Sequence, residues 1–83
     1  MPDDPRILRV VPKGPITRPQ RGVPVTARIR FDTGDTMDVP GTALAWTREA
    51  VEVRWEGPGS EIRSDWLPAS DVRRRPEDRP GGG

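Results

Sequence analysis

Eighty-three residues, 31% hydrophobic and 33% charged with a net charge of +1, suffice for one small domain whose core uses nearly every large hydrophobe present. The chain has no cysteine and no histidine, which removes disulfide staples, thiol nucleophiles, imidazole bases and the usual zinc ligands. No apolar run approaches the length of a membrane span or a signal-peptide core, and absent cysteine fits a reducing compartment; the expectation is a cytoplasmic protein without membrane, metal or cofactor.

Residues 1–22 carry five prolines, which deny them a long helix and predict a flexible, largely extended arm. Within it, Ile7-Leu8-Arg9-Val10-Val11 is apolar enough to dock on a neighbouring sheet or to form an edge strand. Pro12-Lys13-Gly14-Pro15 formally matches P-x-x-P, a match that so proline-rich a segment produces by chance.

Val23 to Phe31 alternates cleanly: Val23, Val25, Ala27, Ile29 and Phe31 fall on one face, Pro24, Thr26, Arg28 and Arg30 on the other. Asp32-Thr33-Gly34-Asp35 predicts a turn with Gly34 at positive φ. Met37 and Val39 make a short return strand that Pro40-Gly41 is expected to bend or bulge.

Thr42 to Ala50 is ambiguous, because its composition favours helix while Leu44 and Trp46 alternate with Ala43 and Ala45. Strand is preferred: it completes a five-stranded meander with short links, whereas a lone two-turn helix without a capping box is marginal. Val51, Val53 and Trp55 then alternate with Glu52, Arg54 and Glu56, Gly57-Pro58-Gly59-Ser60 turns the chain, and Ile62, Ser64 and Trp66 resume the alternation. Pro68 stops that strand, and Ala69-Ser70-Asp71 reads as one tight helical turn.

The near-zero net charge is divided along the chain. Residues 1–22 hold five basic and two acidic groups, residues 23–72 five and nine, and residues 73–83 four and two. An acidic middle argues against a broad phosphate-binding surface on the barrel itself, while the ends remain able to touch phosphate. The expected organisation is an arm over 1–22, a domain over 23–74 and a disordered tail over 75–83.

The strand VEVRW, a turn, a strand ending in Trp66 and the closing Pro68-Ala69-Ser70-Asp71-Val72-Arg73 resemble the last part of Tudor, chromo-barrel and other SH3-like small barrels, over residues 50–74. The resemblance implies an all-β fold: a five-stranded, strongly bent antiparallel SH3-like barrel, with a short 3-10 turn before the last strand and flexible termini. It implies recognition of peptides or nucleic acids, and no reaction. Glu61 to Arg74 also resembles the closing strand and turn of plasmid-type dihydrofolate reductases, which build their site at the centre of a tetramer. That family's Val-Gln-Ile-Tyr signature is absent here, where Ile62-Arg63-Ser64-Asp65 stands.

The expected activity is therefore non-catalytic: an adaptor presenting Trp46, Trp66 and Leu67 to a protein partner or to another copy of itself. Trp55 reads as core, and an aromatic cage for a methylated cation would consume aromatics the core needs. The alternative is a nucleic-acid-binding accessory protein that uses Arg28 and Arg30 on the barrel with Arg73, Arg74 and Arg75 beyond it; the plainer reading of Arg28, Arg30, Arg54 and Arg63 is a ladder of solvated ion pairs. Asp32, Asp35 and Asp38 lie three residues apart, which does not match a calcium loop.

Overall fold

In the computed structural model, residues 6–75 are described. They form five strands: β1 (Val23–Arg30), β2 (Thr36–Trp46), β3 (Ala50–Glu56), β4 (Ile62–Pro68) and β5 (Val72–Arg74), with a 3-10 turn over Ala69–Asp71 before the last. All pairings are antiparallel, and the sheet order is β4-β3-β2-β1-β5. The predicted all-β fold and the 3-10 turn are thus present. The expected tail over 75–83 lies, apart from Arg75, outside the described residues.

The strand order forces the sheet to curl. β4 and β5 are opposite edges of the sheet, and lying flat they would be about 19 Å apart, four strand spacings. Only the 3-10 turn joins them, and at about 2 Å of rise per residue it covers less than half that span. The edges must approach one another, and the interior shows that they do: Val25, Ala27 and Ile29 of β1, Val39 and Ala43 of β2, Val53 and Trp55 of β3 and Leu67 of β4 form one buried cluster. The odd-numbered faces of β1 and β3 meet inside, as their alternation predicts.

β2 departs from expectation in its length. It is one strand of eleven residues, with Pro40 inside it and no helix after it. Its first part pairs with β1, from Thr36↔Arg30 to Ala43↔Val23. Its last part pairs with β3, beginning at Gly41↔Trp55. Pro40 therefore stands one residue outside the β3 ladder and interrupts no rung there. The two ladders overlap over Gly41, Thr42 and Ala43, and a Cβ built on Gly41 would lie 2.7 Å from Val53 Cγ1 and 2.8 Å from the Arg54 carbonyl oxygen. No side chain fits between the strands at this crossing.

The strand ends in a tight turn set by Thr47. Its N–H donates to the Ala50 carbonyl at 2.8 Å, and its Oγ1 accepts from the Ala50 N–H at 3.2 Å. A side chain that bonds its own turn competes with helix, which is why the helix-favouring composition of 42–50 does not prevail.

β4 corrects the sequence reading. Its register against β3 is Val51↔Leu67, Val53↔Asp65 and Trp55↔Arg63, so Arg63, Asp65 and Leu67 face the interior and Ile62, Ser64 and Trp66 face outward. Ile62 is 69% exposed. The cause is polar: the indole of buried Trp55 needs an acceptor inside, and Asp65 supplies it at 2.9 Å.

Residues 6–22 contain no strand or helix of their own, but the arm expected to be flexible is bonded to the sheet at three places. Leu8 N–H donates to the Arg30 carbonyl and Asp32 N–H to the Arg6 carbonyl, both at 2.8 Å; Val10 N–H donates to Trp66 at 3.0 Å; Thr17 and Trp46 exchange bonds at 2.8 and 2.9 Å. The segment is a strap, carried past β4 and back into β1.

Candidate functional site

The three tryptophans occupy three different settings. Trp55 is 2% exposed, its Nε1 bonded to Asp65 Oδ2 and its ring 5.6 Å from the Arg63 guanidinium carbon. Asp65 is 3% exposed, with Arg63 Nε at 3.4 Å and, from the strap, Arg9 Nη1 at 3.8 Å. No buried side-chain polar atom among the described residues lacks a hydrogen-bond partner, so the Trp55–Asp65 pair holds β3 and β4 together, with the strap's Arg9 beside it, rather than offering a free ligand group.

Trp66 is half-buried on the outer face, opposite Glu52. It borders an open depression that the strap itself lines through Ile7, Arg9 and Val10. Leu67, expected as a surface anchor, is 1% exposed and belongs to the core cluster. The cause is the β4 register, which sends odd-numbered residues inward.

Trp46 is placed by an irregularity. Between Ala43↔Val53 and Ala45↔Glu52 the β2–β3 register shifts, so Leu44 is an extra residue in β2. Such a bulge moves every later side chain to the other face. Without it Trp46 would lie outside with Glu52; with it Trp46 lies opposite Val51, on the face that carries Leu67. There it is half-buried and packs against the rim of the core.

Around Trp46 the interior opens to solvent. Val23, Trp46, Val51 and Val72, with Thr47 and Arg74, line a groove of about 290 Å³. Val25, Ala43 and Ala69 complete the lining, whose apolar members come from β1, β2, β3, β5 and the 3-10 turn, so the groove exists only because the sheet curls. Arg74, which stands opposite buried Val25, is the one charged residue of that lining. Arg73, opposite Thr26, lies on the other face. Trp46 and Trp66 thus occupy opposite faces of the sheet, and the three indoles do not converge on a cage.

The two barrel arginines are engaged. Arg28 Nε donates to Asp38 Oδ1 at 3.1 Å, and Arg30 grips Asp71 through Nε at 2.8 Å and Nη2 at 2.9 Å. The hydrogen bond to Asp71, and then its charge, raises the Arg30 pKa. On the other side, the Arg30 hydrogen bond lowers the Asp71 carboxyl against the opposing effect of burial, and the charges of Arg30 and Arg28 add to it. The pair ties the 3-10 turn to β1.

Because the folded Asp71 pKa lies below its ordinary value of 3.8, the contribution of the pair is complete above that value and is lost as pH falls through the depressed one. The expected result for Asp71→Asn is a lower melting temperature at neutral pH and a shallower loss of stability below about pH 4. Thermal melts followed by circular dichroism across that range test it; an acid limb superimposable on wild type would remove the pair from the account.

The turn carboxylates are dispersed. Asp32 Oδ1 accepts from the Arg6 N–H, Asp35 Oδ2 from the Thr33 hydroxyl, and Asp38 faces Arg28. Among the described residues no group of three side chains is arranged to hold a metal ion, and no helix is long and apolar enough to cross a membrane.

Sequence reasoning missed Val23, Val51, Val72 and the facing of Arg74 as one set. Each is visible as part of a strand, but the groove depends on the one-residue slip at Leu44, for which the sequence carries no turn or glycine signal. In comparisons with known proteins, no family model, no curated protein and no solved structure matches the chain.

Proposed function

We propose that this domain is a non-catalytic binding module, an SH3-like barrel that accepts a partner protein's apolar side chain in the groove beside Trp46. The curled five-strand sheet and the 3-10 turn before β5 support the SH3-like reading. One observation carries the functional reading: at the open end of the barrel a tryptophan and four valines line a groove whose one charged residue is Arg74. Tryptophan and arginine are the residue types that most often anchor interfaces, and a desolvated apolar pocket is where such anchors act.

Arg74 selects among occupants. The ligand that fits is an extended peptide whose aliphatic or aromatic side chain enters the groove and whose neighbouring Asp or Glu meets Arg74. A second copy of the domain supplies a poorer fit, because the large hydrophobics the described surface exposes are Leu8, Val11, Ile16 and Ile62, and of these only Ile62 has an acidic neighbour, Glu61. The nucleic-acid alternative is weakened on the barrel by the pairing of Arg28 and Arg30 with carboxylates.

Selection of peptides from a random library on the immobilised full chain tests the reading. The expected consensus is one large apolar residue next to an acidic one. Trp46→Ala should weaken the selected peptides at least tenfold and Arg74→Glu about as much, since one interfacial anchor contributes on the order of 2 kcal/mol; Arg74→Glu should melt close to wild type, and Trp46→Ala, which also loses its packing against the core, is compared at a temperature below its own, lower melting transition. Peptides that bind both variants as well as wild type would show that the groove is not the site.

A further inference from the structure

We infer that a second site, for a single phosphate or sulfate group, lies on the opposite face of the sheet, between β1, the 3-10 turn and β5. Thr26, Arg28, Ser70 and Arg73 line a cleft of about 200 Å³ there, together with Asp38 and Asp71. The pairings explain how these groups converge. Thr26 stands directly opposite Arg73 in the β1–β5 ladder, Arg28 is two residues further along the same face of β1, and Ser70 comes over from the turn.

The two carboxylates do not cancel the arginines. Both oxygens of Asp71 are held by Arg30, and its side chain is only 7% exposed. Asp38 takes the Nε of Arg28, which leaves the two terminal amino groups of that guanidinium to donate elsewhere. Arg73 is exposed and forms no ion pair among the described residues. The cleft thus holds two guanidinium groups beside two carboxylates that are each already bonded to an arginine, one of them to Arg30 outside the lining, and two hydroxyls add neutral donors. Planar guanidinium forks joined by hydroxyl donors are the chemistry that holds a tetrahedral oxyanion.

The same carboxylates restrict what the anion can be. A nucleic-acid strand would bring further phosphates past Asp38 and Asp71, whose charges repel them. An isolated dianion on one side chain occupies only the one cleft, where the carboxylates beside Thr26, Arg28, Ser70 and Arg73 are already bonded to Arg28 and Arg30. The fitting ligand is therefore a phosphate monoester, such as a phosphorylated serine or threonine on a partner, recognised on the face opposite the Trp46 groove.

The test is a proton–nitrogen NMR titration of the full chain with sodium phosphate against sodium chloride at matched ionic strength, then with a short phosphoserine peptide, its unphosphorylated twin and a single-stranded oligonucleotide. Inorganic phosphate should move the Thr26, Ser70 and Arg73 amides and the Arg28 Nε–H saturably, and the phosphoserine peptide should move the same signals at lower concentration than its twin. Arg73→Gln and Arg28→Gln should each raise the half-saturating phosphate concentration at least fivefold. Shifts that do not saturate, or that persist unchanged in both variants, overturn the site. An oligonucleotide that moves the same signals at lower concentration than the phosphoserine peptide overturns the monoester assignment. Because Trp46 takes no part, Trp46→Ala should leave the phosphate titration unchanged, so this site and the apolar groove fail or stand separately.

Discussion

Replacing Asp65 by alanine is expected to cost the domain about 2–4 kcal/mol, because the indole N–H of Trp55 then remains buried without an acceptor and Arg63 and Arg9 lose their shared carboxylate. For a domain of this size that loss lowers the melting temperature by roughly 10–25 °C. Asp65→Asn separates the two contributions. An amide oxygen can still accept from Trp55, so the expected cost falls to around 1 kcal/mol, mostly from the weakened contacts to the two arginines. A small core drawn from few hydrophobes has little stability to spare, and the alanine variant should be substantially unfolded at the temperature where wild type begins to melt. Alanine and asparagine variants that melt together would show that the indole bond is not what Asp65 provides.

Gly41→Val is expected to be at least as damaging. The obstacle is steric and lies in the backbone: the added Cβ would approach the Arg54 carbonyl oxygen to 2.8 Å and Val53 Cγ1 to 2.7 Å. A carbonyl in a ladder cannot rotate away without breaking the pairing between β2 and β3. Overpacking a tight site costs about 1–3 kcal/mol; here the branched side chain adds to it, and the expected outcome is loss of cooperative unfolding. Gly41→Ala should lie between valine and wild type. Shortening Val53 to alanine in that background removes one of the two clashes and should restore part of the loss despite the cavity it opens. A Gly41→Val chain that melts like wild type would mean that the two strands do not cross where the register places them.

Both variants concern the features that the sequence made hardest to read. Alternation in Val23 to Phe31 and in Val51 to Trp55 identified two strands and their inner faces, because a period of two has one solution when one side is apolar and the other charged. β4 defeated the same logic. Its outward set, Ile62, Ser64 and Trp66, is more apolar than its inward set, Arg63, Asp65 and Leu67, and hydropathy alone selects the wrong face. A buried tryptophan with an indole to satisfy reverses the choice, and that requirement becomes visible only when the strands are in register.

The candidate site shows a related limit. Trp46 was legible only as a tryptophan balanced between core and surface, and it is half-buried, while Leu67 was misplaced together with the face of β4. The bulge at Leu44 leaves no mark in composition, yet it decides whether the Trp46 ring lies with Glu52 or with Val51. Arginine roles were legible only as a class. That Arg30 closes on Asp71 while Arg74 and Arg73 divide between the two faces follows from β5 returning to pair with β1, a long-range contact with no local signature.

The most direct measurement follows the three indole N–H signals, assigned by substitution, while an apolar peptide bearing one acidic residue is titrated into the full chain. The Trp46 indole should shift in step with the Val23, Val51 and Val72 methyl groups, and the Trp55 indole should stay fixed. If binding moves the Trp66 indole and leaves Trp46 where it was, the open end of the barrel is not where this protein meets its partner.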